Sequence, residues 1–232
     1  MTRKPAKPAT LVRKGARVLS FKPRNAVETK ERILQAAIRE FSSHGLMGAR
    51  VERVVRASKV NMRMIYHYFG NKELLYIAAL ERVYRDVRLK EQSINLSHYS
   101  PRQGFERLID FTFEHFANHP ELINLVTSEN LIKAKYLRRS KLIPSMNVDL
   151  QKLVRMLLDE GRKTGQFRSG IDPKQLWITL FSLCWTHVSN RHTLSWMFQE
   201  DLSERTWLDR RREHIKDVIL DYIQVPELPA KH

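Results

Sequence analysis

Residues 51–75 read VERVVRASKVNMRMIYHYFGNKELL. Val51, Val54 and Val55 fall at three- and four-residue steps, which predicts a short helix over Val51 to Ala57 with those valines inward. Lys59 and Val60 then form a tight turn, and Asn61 is a good N-cap for a second short helix, Met62 to Tyr68. Gly70 ends that helix. Asn71 caps a longer one, whose inward face carries Leu74, Leu75, Ala78, Ala79 and Val83. Two short helices across a turn, after a longer helix, are the layout of a helix-turn-helix DNA reader. Val54, Val55, Val60 and Ile65 are apolar where two crossing helices must pack. Met62, Arg63, Met64, Tyr66 and His67 share a helix too short to bury more than one side. Its exposed Arg, Tyr and His side chains offer hydrogen bonds to base edges and phosphates, and its methionines suit thymine methyls.

On the N-terminal side a longer helix is predicted from Val27 to His44, closed by Gly45 at a C-cap position. Ile33, Ala37 and Phe41 recur at four-residue steps, and Leu34 and Ile38 widen that face. On the C-terminal side the sequence reads as a helical bundle. One helix covers about Pro101 to Asn118, with Phe105, Leu108, Ile109, Phe111, Phe113 and Phe116. Pro120 opens a second, to about Arg138, and Pro144 precedes a third, Met146 to Thr164, followed by Gly165. Asp172 and Pro173 form an N-cap and first-turn pair for a fourth helix, Pro173 to Asn190, which is apolar nearly all round. A fifth runs from about Glu204 to Ile223. The expected fold is therefore all-α: a three-helix helix-turn-helix domain followed by a C-terminal helical bundle. The domains expected are an arm at 1–26, a DNA-binding unit at 27–75 with a connector to about 95, a bundle at 96–225, and a frayed tail at 226–232.

The residues from Thr29 to Leu75 also resemble the TetR family of bacterial transcriptional regulators. The first-helix pattern is matched by Ile33, Leu34, Ala36, Ala37 and Phe41, and the Tyr-x-x-Phe-x-x-Lys-x-x-Leu signature by Tyr66, Phe69, Lys72 and Leu75. The resemblance implies that Tyr66 and Lys72 contact phosphates. Lys72 also sits in the first turn of a helix, where backbone N–H groups already favour an anion. Arg50 stands where the family usually has Thr or Ser, and can meet a phosphate with a full charge. The family's Ala-Gly-Val-Ser turn is Ser58-Lys59-Val60-Asn61 here, so Lys59 occupies a glycine position. Arg63 and Met64 replace a Gly-Thr pair. These departures concern operator sequence. The DNA-contact candidates are thus Arg50, Asn61, Met62, Arg63, Tyr66, His67 and Lys72, with Met62, Arg63 and His67 assigned to bases or grooves.

The resemblance further implies a C-terminal domain that dimerises and binds a small effector, and the stretch NLIKAKYLRRSKLI resembles a subset of such domains. An effector pocket needs apolar walls and a few polar groups. Phe111, His115, Trp177, Phe181, Trp185 and His187 are the candidate wall residues, each of which core or interface packing would equally explain. The fourth and fifth helices, the latter with Ile215, Val218, Ile219 and Tyr222, are expected to form a two-fold four-helix interface in a homodimer.

Charge agrees with a polyanionic partner. The 232 residues carry 41 Lys and Arg against 25 Asp and Glu, a formal +16. Arg3, Lys4, Lys7, Arg13, Lys14, Arg17, Lys22 and Arg24 supply half of that surplus, in an arm with no acid and three prolines, read as disordered. The alternative reading needs only that arm and the +16 charge: a nonspecific basic protein that binds RNA or acidic surfaces through the arm. No apolar run approaches the ~18 residues of a membrane span, so no membrane partner is expected. One cysteine, Cys184, excludes an intrachain disulfide and favours a cytoplasmic setting. None of the eight glycines lies in a phosphate-cradling motif, and no catalytic set can be argued from spacing. His115 and His119 stand four apart, a chelating spacing, but Pro120 follows at once, no cysteine lies nearby and there is no His-Glu-x-x-His pattern. No metal, cofactor or enzymatic activity is expected. The expected partners are double-stranded DNA with a pseudo-palindromic operator, an unknown small-molecule effector and a second copy of the chain.

Overall fold

The computed structural model describes residues 23–92 and 98–226. Most of the expected arm, the segment 93–97 and the tail from 227 lie outside the described residues. The elements in order are α1 (Pro23–Gly48), α2 (Val51–Ser58), α3 (Met62–Phe69), α4 (Lys72–Gln92), α5 (Pro101–Asn118), α6 (Pro120–Leu131), a 3-10 turn at Leu137–Arg139, α7 (Leu142–Lys163), α8 (Pro173–Phe198) and α9 (Arg205–Ile223). Among the described residues there is no strand, only an isolated antiparallel bridge between Phe167 and Gln224. No helix of the described residues is long and apolar enough to cross a membrane.

Local chemistry sets the ends. Gly45 takes φ 61° and breaks α1, so the residues up to Gly48 form a separate last turn. Ser100 and Gln103 form a reciprocal capping box at the start of α5. The Asp172 carboxylate accepts the N–H groups of Lys174 and Gln175 at the start of α8.

Four expected boundaries are corrected. α1 begins at Pro23, so residues 23–26 are helical rather than part of the arm. α6 stops at Leu131 rather than near Arg138, because Lys133 and Ala134 both adopt left-handed backbone, φ 58° each. α7 starts at Leu142 with Pro144 inside its first turn, where a missing N–H costs nothing. α8 continues past Asn190 to Phe198 and ends only where Gln199 turns left-handed.

A shared core joins the first four helices to the rest. Phe41 on α1 meets Tyr76 on α4 edge-to-face at 5.0 Å, and Tyr76 meets Tyr136 at 5.7 Å in the same way. Tyr76, Phe41, Phe105 and Phe113 are among the largest side chains wholly removed from water. Gly104 on α5 and Gly161 on α7 admit the side chains of Leu157 and Phe167 where a β-carbon would collide. α8 differs from expectation: Leu176, Leu180, Cys184, His187 and Val188 are buried, but Gln175, Ile178, Thr179, Ser182 and Thr186 form an exposed stripe of mostly small polar residues. On α9, Ile215 and Ile219 face the protomer's own core, while Val218 and Tyr222 are exposed.

Candidate nucleic-acid interface and ligand cavity

The recognition unit is held to α1 by one buried carboxylate. Glu40 accepts the backbone N–H of Arg50 at 2.8 Å and the Nε of Arg53 at 2.7 Å. Arg53 Nη2 in turn donates to the carbonyl of Gly48 at 2.8 Å. Burial raises the Glu40 pKa, but Arg53 and the Arg50 amide outweigh it and hold the carboxyl below its ordinary value. This clamp fixes the entry to α2, leaving the Arg50 side chain exposed. Lys59 closes α2 in the left-handed region, φ 55° and ψ 38°, the conformation expected of a glycine position.

α3 is capped by Asn61, whose Oδ1 accepts the Met64 N–H at 2.9 Å. Asn61 thus has a structural task besides its place among the DNA-contact candidates. Ile65 and Phe69 anchor α3 in the core, 1% and 8% exposed, which turns Arg63, Tyr66 and His67 to the surface. Met62 is half-buried. Gly70, at φ 81°, donates its N–H to the Tyr66 carbonyl at 2.8 Å and reverses the chain. Asn71 Oδ1 then accepts the Leu74 N–H at 2.9 Å, placing Lys72 at the start of α4 beside α3. Arg50, Arg63, Tyr66 and His67 are exposed and Lys72 is half-buried, and the structure adds exposed Arg56 and Lys59 on α2 and at its end.

The second candidate site lies in the bundle. α4, α5, α6 and α8 enclose a cavity with about 480 Å³ of empty space, counting its open mouth. Phe111, His115, Trp177, Phe181 and Trp185 line it, as do Tyr84, Arg88 and Glu91 of α4, Thr112 and Phe116 of α5, and Leu122 and Val126 of α6. Phe181 and Trp185 stack at 5.2 Å, and Phe116 stands edge-on to both at 5.2 and 5.5 Å. A wider groove over Leu150, Gln151, Lys174 and Ile178 shares Tyr84, Arg88, Trp177 and Phe181 with the cavity.

Its polar groups are few. Arg88 pairs with Glu91, which is buried. Burial raises the Glu91 pKa against the opposing pull of Arg88. Burial first, then the neighbouring His119 ring and the Lys90 and Arg88 charges, drives the His115 pKa down to about 3, so its imidazole is neutral. His119 stacks on His115 at 4.1 Å, and its Nε2 accepts from Lys90 Nζ at 3.0 Å. Among the described residues no group of three or more His, Cys, Asp or Glu could hold a metal ion.

His187 is a correction to the expected wall. It is buried away from the cavity, stacked on Trp207 at 4.5 Å, with Nε2 donating to the Leu202 carbonyl at 3.1 Å. It secures the loop after α8. The α4 residues of the cavity are absent from the sequence reading. Their trace in the sequence is Arg88 and Glu91, three apart on the helix that follows the recognition unit. Cys184 is wholly buried, and that burial lifts its thiol pKa to about 12.

Comparison with known proteins places this architecture. Residues 33–79 match the family described as bacterial regulatory proteins, tetR family, and residues 101–219 match the tetracyclin repressor-like C-terminal domain. The HTH-type transcriptional repressor NicS of Pseudomonas putida is 32% identical over 82% of this chain and 89% of its own length. The HTH-type transcriptional regulator RutR of Escherichia coli is 24% identical over 90% of this chain and 98% of its own. In fold, the chain is similar to a TetR transcriptional regulator from Chloroflexus aurantiacus, with TM-score 0.66 and 18% identity over 88% of this chain and 100% of that one. It is also similar to the fatty acid degradation regulator FadR from Bacillus halodurans, with TM-score 0.64 and 21% identity over 87% and 96%. With a helix-turn-helix unit at its head and a matching C-terminal domain behind it, the chain belongs to the TetR family and is a DNA-binding transcriptional regulator.

Proposed function

We propose that this chain is a cytoplasmic homodimeric repressor released from its operator by a small molecule held in the α4–α5–α6–α8 cavity. The observation that carries this reading is the reach of α4. One unbroken helix carries Lys72 at the recognition unit and Arg88 and Glu91 in the cavity wall. A relative named as a transcriptional repressor, similar over most of both lengths, supports repression as the output. In the dimer, the exposed stripes of α8 and α9 pack about a two-fold axis, and two α3 helices enter successive major grooves of a pseudo-palindromic site. Arg63, Met62 and His67 read base edges or groove shape, while Arg50, Tyr66 and Lys72 hold phosphates. An effector releases DNA only by favouring a conformation whose α3 spacing no longer fits; equal affinity for both conformations shifts nothing.

The test is selection of binding sites from random duplex DNA, followed by titration of variants. An enriched inverted repeat is expected. Lys72→Ala should then weaken all duplexes alike, and Arg63→Ala should relax sequence preference by about 1–3 kcal/mol at one position. Binding that is salt-sensitive but enriches no site would replace this reading with that of a charge-driven, nonspecific binder.

A further inference from the structure

The segment between α6 and α7 reads LIKAKYLRRSK from Leu131 to Lys141, with five cations and no acid. Lys133, Lys135, Arg138, Arg139 and Lys141 are all exposed. Of these only Arg139 forms an ion pair among the described residues, with Glu73 at 2.8 Å. A run of free cations on an ordinary loop is a solvated face. This loop differs in being rigid and in where it is tied.

Its rigidity comes from beneath. Glu129, 1% exposed, accepts the backbone N–H groups of Leu137 at 2.8 Å and Tyr136 at 3.1 Å. Lys133 and Ala134 hold consecutive left-handed conformations, and the Ala134 N–H closes on the Glu129 carbonyl at 2.7 Å. Its place is set by two contacts. Tyr136 Oη donates to Glu73 at 3.2 Å, one residue beyond Lys72 in the first turn of α4. Ser128, in the last turn of α6, lies against Gly45 at the break in α1, five residues before Arg50. The cations are therefore bracketed by α4, which carries Lys72 in its first turn, and by the end of α1, from which the chain runs on directly to Arg50 at the head of α2.

We infer that the α6–α7 segment is an accessory DNA-backbone contact: Lys133, Lys135 and Arg138 meet phosphates of the duplex flanking the half-site read by α3. This inference rests on the DNA-binding reading above and adds a contact from the C-terminal domain. It is electrostatic and carries no base information, so it adds affinity and salt dependence without changing the preferred sequence. Glu73 restrains it by neutralising Arg139.

The experiment measures Kd against salt for the full chain on two duplexes, one carrying the selected inverted repeat and one of random sequence. A variant combining Lys133→Gln, Lys135→Gln and Arg138→Gln is compared with wild type. A second variant removes the same charge at Arg162, Lys163 and Arg210, on α7 and α9. Each lost phosphate contact lowers the log–log salt slope by about 0.9, so the first variant should lose about 2–3 per protomer on both duplexes. The repeat-to-random affinity ratio should stay the same, and the second variant should keep the wild-type slope. Trimming the flanks of the repeat should lower the wild-type slope and leave that of the first variant unchanged. Glu73→Gln should tighten binding to both duplexes. A first variant with the wild-type slope, or a second variant that loses as much, overturns the inference. Loss of the affinity ratio in wild type would instead overturn the sequence-reading function, while the slopes on random duplex still decide this contact.

Discussion

At the scale of single residues, two side chains hold conformations or charge states that run against their intrinsic preference. Lys59 sits at φ 55° without the freedom of glycine. A left-handed non-glycine residue costs about 1–2 kcal/mol, partly offset by the looser unfolded chain that glycine brings. Lys59→Gly should therefore stabilise the protein by about 0.5–1 kcal/mol, read from the denaturant midpoint at constant m-value. His115 is neutral, its pKa driven down to about 3 from an ordinary 6.5. Below about 6.5 the unfolded chain takes up a proton that the folded site refuses, so stability falls as pH drops from about 6.5 towards 3. Wild type should lose more stability between about pH 7 and pH 5 than His115→Gln, and parallel losses in urea titrations would deny His115 that role.

The same residues show what a sequence carries. Phe111, Trp177, Phe181 and Trp185 are legible as inward-facing because large apolar side chains on amphipathic helices have nowhere else to go, and the structure gathers them in one cavity. His187 has an equally apolar neighbourhood in sequence, yet its ring is claimed by Trp207 and the Leu202 carbonyl, twenty and fifteen residues away. Arg88 and Glu91 carry no such mark in the sequence, and only folding buries Glu91 and draws Arg88 against it.

At the scale of elements, helix ends followed local chemistry wherever a cap was present. Asn61, Asn71 and Asp172 announce α3, α4 and α8, and each accepts the hydrogen bonds its position requires. The end of α6 was not legible, because Lys133 and Ala134 are poor left-handed residues held there by the buried Glu129 and its contacts. The end of α8 was not legible either, since residues 190–198 contain no Gly or Pro and nothing local opposes helix. The α7–α9 corner depends on a missing side chain. A β-carbon at Gly161 would overlap the Phe167 ring, which also packs edge-on to Phe105 at 5.7 Å. Gly161→Ala should cost about 1–3 kcal/mol by displacing that ring, measured by thermal or urea unfolding. An unchanged midpoint would mean that the ring has room to move.

At the scale of the whole molecule, the fold class and the order of its two parts were readable from periodicity and turn chemistry, while the surface offered to a second copy was not. An α8 apolar nearly all round was expected at the interface, but its exposed stripe from Gln175 to Thr186 is chiefly small and polar with Ile178 its apolar member, and the exposed apolar side chains of α8 gather in its last turn at Trp196, Met197 and Phe198. Small side chains permit close helix approach, and in the proposed dimer the exposed Val218 and Tyr222 on α9 would supply apolar area. Val218→Asp with Tyr222→Asp should convert a dimer into monomers in light scattering. It should also weaken operator binding by about 100-fold or more, since each half-site contact then stands alone. A variant that remains dimeric would move the interface elsewhere.

The length of α4 has a mechanical consequence. Its 21 residues form a rod about 30 Å long at 1.5 Å per residue, with one end packed among aromatic rings and the other beside α3. A rod pivoting at the aromatic end by about 5° sweeps its far end through about 2.6 Å, roughly the length of a hydrogen bond. Phosphate contacts tolerate far less than that. An occupant of the cavity would need to push its wall by only a fraction of an ångström, because the geometry of the lever supplies the rest.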